Sequence, residues 1–346
     1  WTRKIHTLPL SSSDATTLAT LLEHKVLDWE FDMNEVQRLS NGHALVAFGW
    51  ALIERHGLRA KLDLRTNAVL ELLCEVENGY RDVAYHNSVH GADVTHAMHW
   101  LLCTDELKPS TASEPLLLFT AILSAIVHDL GHDGYNNAFH VNSNSDLAIR
   151  SCYSSPLERH HLASAFALLA KKDSVFSSLE LAERKQVQTW MRELVLATDF
   201  GVHHQVISEY RTMLDLRAGA GGAKAAEATA APVLEGDERI LALKMAIKTA
   251  DLGYLTKGEA TCHVWTERVL EEFFLQGDTE KRLGLPVSFG CDRGIDIPNL
   301  QIGFYKTMIA PLYEAMGLLV PMDMQLRNLD HMRRYWQTTK DANAAT

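Results

Sequence analysis

The stretch that decides the reading is LLLFTAILSAIVHDLGHDG, residues 116–134. From Leu116 to Val127 only Thr120 and Ser124 are polar, and then His128, Asp129 and His132 arrive together. A run this apolar reads as a helix buried on all sides that delivers a polar end into the interior. Burying a carboxylate and two imidazoles without partners is expensive. A cation is one way to satisfy them; a hydrogen-bonded core pair is the other.

Two further residues turn the cation into the stronger option. His90 upstream and Asp251 downstream also sit inside apolar, helix-like segments. Neutral imidazoles and carboxylates suit a hard or borderline divalent cation, and one carboxylate can bridge two of them. A two-metal site of this kind hydrolyses phosphate esters. Around His90 the string YHNSVHGAD places His86, His90 and Asp93 at i, i+4 and i+7, on one face if the helix begins near His86. Such histidines can share a metal or divide the work between ligand and proton donor. His96 and His99 read as surface histidines.

Other candidates are weaker alone. Asp251 ends an apolar helix, as Asp commonly does. SPLERHH opens a helix with Glu158 in its first turn, which the helix dipole favours whatever else Glu158 does. Thr198-Asp199 closes the helix that starts near Leu179. Trp265, Val269 and Phe273 form an aromatic and aliphatic stripe of the sort that most often packs a core. Gln301 amid Ile302 and Phe304 differs, because its amide both donates and accepts and so suits a purine edge between apolar walls.

Helical spacing recurs over residues 44–56, 66–79, 90–106, 115–130, 158–171, 180–198, 238–252, 262–276 and 299–316, with Ser11 to Asp14 as an N-cap signal before Leu18. Alternating, strand-like runs are almost absent, so the expected fold is all-α. Residues 217–238, rich in Ala and Gly, read as a flexible insertion. His90 and Asp251 flank it, so a shared site makes 1–346 a single domain. The chain opens on Trp1, which reads as an excised domain.

Bulk composition bounds the rest. Net charge is -11, which argues against a nucleic-acid partner. An anionic substrate would then be drawn in by bound metal. Five scattered cysteines, never in a CxxC pair, fit free thiols in a reducing cytoplasm. No apolar run reaches membrane-spanning length, and no signal peptide is legible. Oligomeric state is not legible.

Taken together, YHNSVHGADV, HD followed by GHDG and NNAF, SPLERHH, LATDF, TADL, VWTERVLEEFFLQGD and LQIGFY resemble the catalytic domain of the class I cyclic nucleotide phosphodiesterases, in order, from about Tyr85 to Pro311. The resemblance implies a compact all-helical domain of about sixteen helices around one deep pocket. It implies hydrolysis of a 3′,5′-cyclic nucleotide, cAMP or cGMP, to the 5′-monophosphate by a hydroxide activated between two metals. His90, His128, Asp129 and Asp251 would hold Zn²⁺, and Asp129 would reach a second ion, Mg²⁺ or Mn²⁺, whose waters His132, Glu158 and Thr198 position. His86 would be the general acid, kept protonated by Glu272. Gln301 would bond the purine, Phe304 and Val269 would sandwich it, and Asn137, Asp199 and Tyr85 would line the pocket. Three positions depart from the family pattern. Tyr254 replaces an Asn common in cAMP-selective members, which leaves the purine preference open. Gly290 replaces a larger residue and would open a side pocket that a Met there should close without loss of catalysis. Gly131 replaces an acidic residue that is no metal ligand. Two rivals remain on the ligands alone: an HD-type phosphohydrolase acting on other nucleotides, and a non-catalytic cyclic nucleotide sensor.

Overall fold

The structure is a computed structural model that describes residues 11–108, 114–221 and 234–344. The described residues form α-helices without a strand: α1 (Ser12–His24), α2 (Met33–Leu39), α3 (Ala44–Arg55), α4 (Leu58–Lys61), α5 (Thr66–Gly79), α6 (Ser88–Leu102), α7 (Pro115–Val127), α8 (Asn137–Asn142) and α9 (Asp146–Arg150). They continue as α10 (Pro156–Leu169), α11 (Leu181–Leu196), α12 (His203–Gly221), α13 (Gly236–Asp251), α14 (Glu259–Leu283), α15 (Ile297–Phe304), α16 (Ala310–Met316) and α17 (Asp323–Ala344). A π turn, Tyr305–Ile309, joins α15 to α16; counted as one rod, they bring the helices to the expected sixteen.

The apolar run is α7, and it lies at the centre. Pro115 opens it at a position where a missing N–H costs nothing. Every residue from Leu117 to Val127 is buried. Each large side chain withdrawn from water contributes about 1.5–3 kcal/mol, far more than the few tenths that Thr and Ile lose in helix propensity. Packing therefore fixes where the polar end of α7 must lie. α7 packs against α6 and α11, and α6 packs in turn against α3 and α13.

α6 is thus covered on several sides, and this overturns one expectation. His96 and His99 are fully buried rather than at the surface. The His96 ring stacks on Phe31 with centroids 4.8 Å apart. A second expectation also fails, because α6 starts at Ser88 with Asn87 as its N-cap, leaving His86 on the approach segment. Asp93 does not share a face with His86. It turns the other way, to the buried ammonium of Lys257 at 2.5 Å, which also donates to the Phe31 carbonyl at 3.1 Å.

The expected flexible insertion over residues 217–238 is helical at both of its edges. Arg217 to Gly221 continue α12, Gly236 to Glu238 begin α13, and an Arg217–Glu238 ion pair links the two helices. Residues 222–233 lie outside the described residues. Near the other end of the chain, Pro311 explains the π turn. It has no N–H for the carbonyl four residues back and its ring crowds that carbonyl, so the preceding turn widens.

Removing Asp93 leaves the Lys257 ammonium buried with only a carbonyl partner. Asp93→Ala is expected to cost roughly 3–5 kcal/mol in urea unfolding, while the double change Asp93→Leu with Lys257→Met recovers most of it. Equal stability of Asp93→Ala and the parent would show that the pair contributes nothing.

Candidate metal centre and substrate pocket

Three helix ends meet at one point. His90 lies in the first turn of α6, where the Asn87 side chain accepts from the N–H groups of Val89 (3.0 Å) and His90 (3.3 Å). His128 and Asp129 follow the last residue of α7, and Asp251 is the last residue of α13. The His90 Nε2 lies 3.3 Å from His128 Nε2, 3.4 Å from Asp129 Oδ2 and 3.2 Å from Asp251 Oδ1. His128 Nε2 lies 3.2 Å from Asp129 Oδ2 and 3.3 Å from Asp251 Oδ1.

These spacings fit a shared cation. Ligand atoms about 2.0–2.3 Å from one ion are separated by about this much when they are neighbours in its shell. The ring orientation agrees: His128 Nδ1 is 2.8 Å from the Ala125 carbonyl, which can only accept, so Nε2 is the nitrogen turned to the cluster and the one whose proton a cation would displace. Charge agrees too. Burial alone would strip the His128 imidazole of its proton and protonate both carboxylates. Their mutual attraction overrides burial, holding His128 well above and Asp129 and Asp251 well below their ordinary values. A cluster that holds protons this strongly is short of positive charge. The negative ends of α7 and α13 face it and add to the pull on a cation.

Beside the cluster, His86 Nδ1 forms a short bond to Glu272 Oε1, while Glu272 Oε2 accepts from the N–H of Tyr85 (2.8 Å) and of His86 (3.1 Å). Burial would neutralise both side chains. Their pairing outweighs it, raising His86 to about 9 and holding Glu272 below its ordinary value. With Nδ1 committed to Glu272, His86 has only Nε2–H to offer outward, and its side chain is still 21% exposed. The His132 ring stacks on His86 at 3.9 Å between centroids. Its Nδ1 accepts from Gly134 N–H at 3.0 Å, so burial and the neighbouring His86 charge leave it neutral, with the proton on Nε2.

His161 is the residue that sequence reasoning missed. Its Nδ1–H donates to the Leu130 carbonyl at 2.9 Å, and its Nε2 lies 3.5 Å from Asp129 Oδ1. Burial lowers it to about 4, so a lone pair faces the carboxylate, and an ion or a water between them would satisfy both. The signal was there in the second His of SPLERHH.

The outer residues are tethered to one another. Asn137 Nδ2 donates to both oxygens of Glu158 (3.2 and 3.0 Å), and its Oδ1 accepts from Leu157 N–H at 3.0 Å. Burial, helped by Asp199, raises the Glu158 carboxyl to about 7. Asp199 accepts from Ser155 Oγ at 2.7 Å and from Gly201 N–H at 2.8 Å. Both Asn137 and Asp199 therefore spend hydrogen bonds on protein groups. Thr198 is buried, its hydroxyl donating to the Val195 carbonyl at 2.8 Å.

On the apolar side, Gln301 is buried and its Oε1 has no hydrogen-bond partner. Phe304 and Val269 are half-buried, and Phe304 lies 6.1 Å from the exposed Phe200 ring. Tyr85 is buried against His90, Tyr254 and Trp265. Two glycines carry more constraint than their sequence positions suggested. Gly131 has φ +82°, and a Cβ there would meet His160 Nε2 at 2.8 Å, so a side chain at this position carries backbone strain and displaces the His160 ring. Gly290 has φ +85°, so Gly290→Met would strain the backbone and could not serve as a clean plug for a side pocket.

Fold and site define an all-helical protein with a buried His/Asp cluster suited to divalent cations. Residues 85–331 match the family described as 3'5'-cyclic nucleotide phosphodiesterase, and the chain belongs to that family, whose members are metal-dependent. It is 34% identical over 315 residues to "Probable 3',5'-cyclic-AMP phosphodiesterase pde-4" of Caenorhabditis elegans, covering 90% of this chain and 46% of that protein. It is 33% identical over 318 residues to 3',5'-cyclic-AMP phosphodiesterase 4C of Mus musculus, covering 90% and 45%. The chain thus spans about half the length of these curated relatives. Among solved structures, the phosphodiesterase domain of the Salpingoeca rosetta rhodopsin phosphodiesterase superposes with TM-score 0.81 at 25% identity, over 95% of this chain and 96% of that one.

Replacing the carboxylate that raises His86 tests the pairing directly. In chelated protein, Glu272→Gln is expected to bring the imidazole from about 9 back towards or below its ordinary 6.5, read by NMR titration of the ring. An unmoved titration would mean that Glu272 does not control the proton.

Proposed function

We propose that this chain hydrolyses 3′,5′-cyclic nucleotides to nucleoside 5′-monophosphates. The observation that carries the reading is the meeting of four metal-type donors, 3.2–3.4 Å apart over the separations given above, beside a His–Glu pair with a free ring N–H. His90, His128, Asp129 and Asp251 would hold Zn²⁺, and the outer Asp129 oxygen would reach Mg²⁺ or Mn²⁺. When bound, such a pair of cations lowers the pKa of water and neutralises the phosphate under attack.

The chain's own residues do the rest. His132, Glu158 and His161 lie near Asp129 and would orient water there, with Thr198 a further candidate for that role. The bond from phosphorus to the ribose 3′ oxygen breaks as His86 Nε2 delivers its proton to that oxygen, a poor leaving group unless protonated. Glu272 fixes the His86 ring and restores its affinity for the next proton. Gln301 Oε1, buried and unpartnered, supports contact with an N–H on the purine edge, with Phe304 and Val269 as walls and Tyr85 behind the metal ligand His90. Asn137 and Asp199 contribute by fixing Glu158 and the start of α10. No helix among the described residues is long and apolar enough to cross a membrane. The five free cysteines support a reducing, cytoplasmic setting.

Turnover of cAMP and cGMP, each with and without chelator, is expected to depend wholly on divalent metal. His86→Ala should lower kcat by about 10²–10⁴-fold with KM little changed, whereas Asp251→Ala should lose metal by elemental analysis as well as rate. Hydrolysis of nucleoside triphosphates in place of cyclic nucleotides, or full turnover by His86→Ala, would overturn the assignment.

A further inference from the structure

A second group of ligand-type side chains sits at the other end of α6. His56 follows the last residue of α3, His99 lies in the last turn of α6, and Cys103 follows that helix's end. One donor atom of each lies within 4.8 Å of the others. Cys103 Sγ lies beside the His99 ring, 3.4 Å from Nδ1 and 4.0 Å from Nε2, so a rotation of the thiol is needed to share an ion with Nδ1; the His56 and His99 ring centroids are 5.0 Å apart. The His56 Nε2 is buried without a hydrogen-bond partner. His99 and Cys103 stand at i and i+4, the spacing that lets one helix face chelate.

We propose that His56, His99 and Cys103 form a separate binding site for a borderline-soft divalent cation, with zinc its natural occupant and water completing the shell. A sulfur and a nitrogen bound at their usual lengths around tetrahedral zinc stand about 3.5 Å apart, close to the spacing seen here. The thiol selects against magnesium and calcium, which take oxygen. α3 and α6 both end at the group, so both helix dipoles favour positive charge there. Burial lowers His56 to about 4 and His99 to about 3, leaving both imidazoles neutral and able to ligate. Burial raises the Cys103 thiol to about 11, so its proton leaves to solvent as the sulfur–metal bond forms. Arg55 is exposed and donates to the Glu23 carbonyl at 3.3 Å, yet its charge still reaches all three side chains and that of Lys61 reaches His56, so the ligand atoms must outweigh two nearby cations. The group is distinct from the His90 cluster: His99 lies nine positions along the helix from His90, roughly 14 Å at about 1.5 Å per residue.

Cobalt distinguishes the two sites, because the His90 cluster contains no sulfur. Titrating chelated protein with Co²⁺ is expected to fill the His90 cluster without a sulfur band and, separately, to give a thiolate-to-cobalt charge-transfer band whose full amplitude corresponds to one thiolate-bound ion per chain. Cys103→Ser should abolish that band and His56→Gln should weaken cobalt binding at it at least tenfold, with cyclic nucleotide turnover unchanged within twofold in both. Both positions are only partly buried, and far-ultraviolet circular dichroism checks that each variant is folded. Cobalt absorption and restored turnover without a sulfur band would overturn the proposal, as would a sulfur band that survives Cys103→Ser. Neither result would touch the assignment of the His90 cluster.

Discussion

Two carboxylates and two imidazoles share one small volume at the centre of this molecule, and the fold is organised around keeping them there. Left to themselves, buried carboxylates take up protons and buried imidazoles give them away. Here proximity reverses both tendencies, so Asp129 and Asp251 stay charged and His128 stays protonated unless something better arrives. A divalent cation is better, since it supplies the missing charge without occupying the lone pairs with protons. Metal affinity and proton affinity at this centre are therefore one property seen in two ways.

Holding that arrangement needs rigid supports rather than loops. α7 delivers His128 and Asp129 because an unbroken apolar face leaves it no freedom to slide. α6 and α13 bring His90 and Asp251 from far along the chain, and each packs directly on a neighbour that also carries a donor. The His86–Glu272 pair depends on α14, where the one carboxylate of Glu272 bonds a ring nitrogen and two backbone N–H groups. Such a carboxylate locks both the position and the protonation of His86.

Much of the centre was legible because chemistry and periodicity agreed. A polar pair at the end of a long apolar run admits few explanations, and His90 and Asp251 sat in similar company. What was hidden depended on partners that linear order does not show. Asp93 has helical spacing with His90, yet its direction was set by Lys257, 164 residues away. His96 and His99 looked like surface groups because the neighbours that cover α6 come from four other helices and the turn Gly253–Thr256. Asn137 looked like a pocket residue, but only the folded chain reveals that Glu158 occupies its amide. His161 was readable in principle, though nothing in its string distinguished it from His160. The π turn could be anticipated from Pro311, since a proline beyond the first turn of a continuous helix demands some such adjustment.

The two ends of α6 illustrate how one helix can serve different chemistry. At its start, His90 joins oxygen-rich partners from two other helix C-termini, and the donor set suits hard and borderline cations. At its finish, His99 and Cys103 meet His56 where α3 also stops, and the donor set is softer. In both places the C-terminal ends of helices supply negative potential without adding a formal charge to the sequence. The difference between the two lies in the side chains, with carboxylates at one end and a thiol at the other. The scaffold thus sets where cations are favoured, and the ligand atoms decide which cation that is.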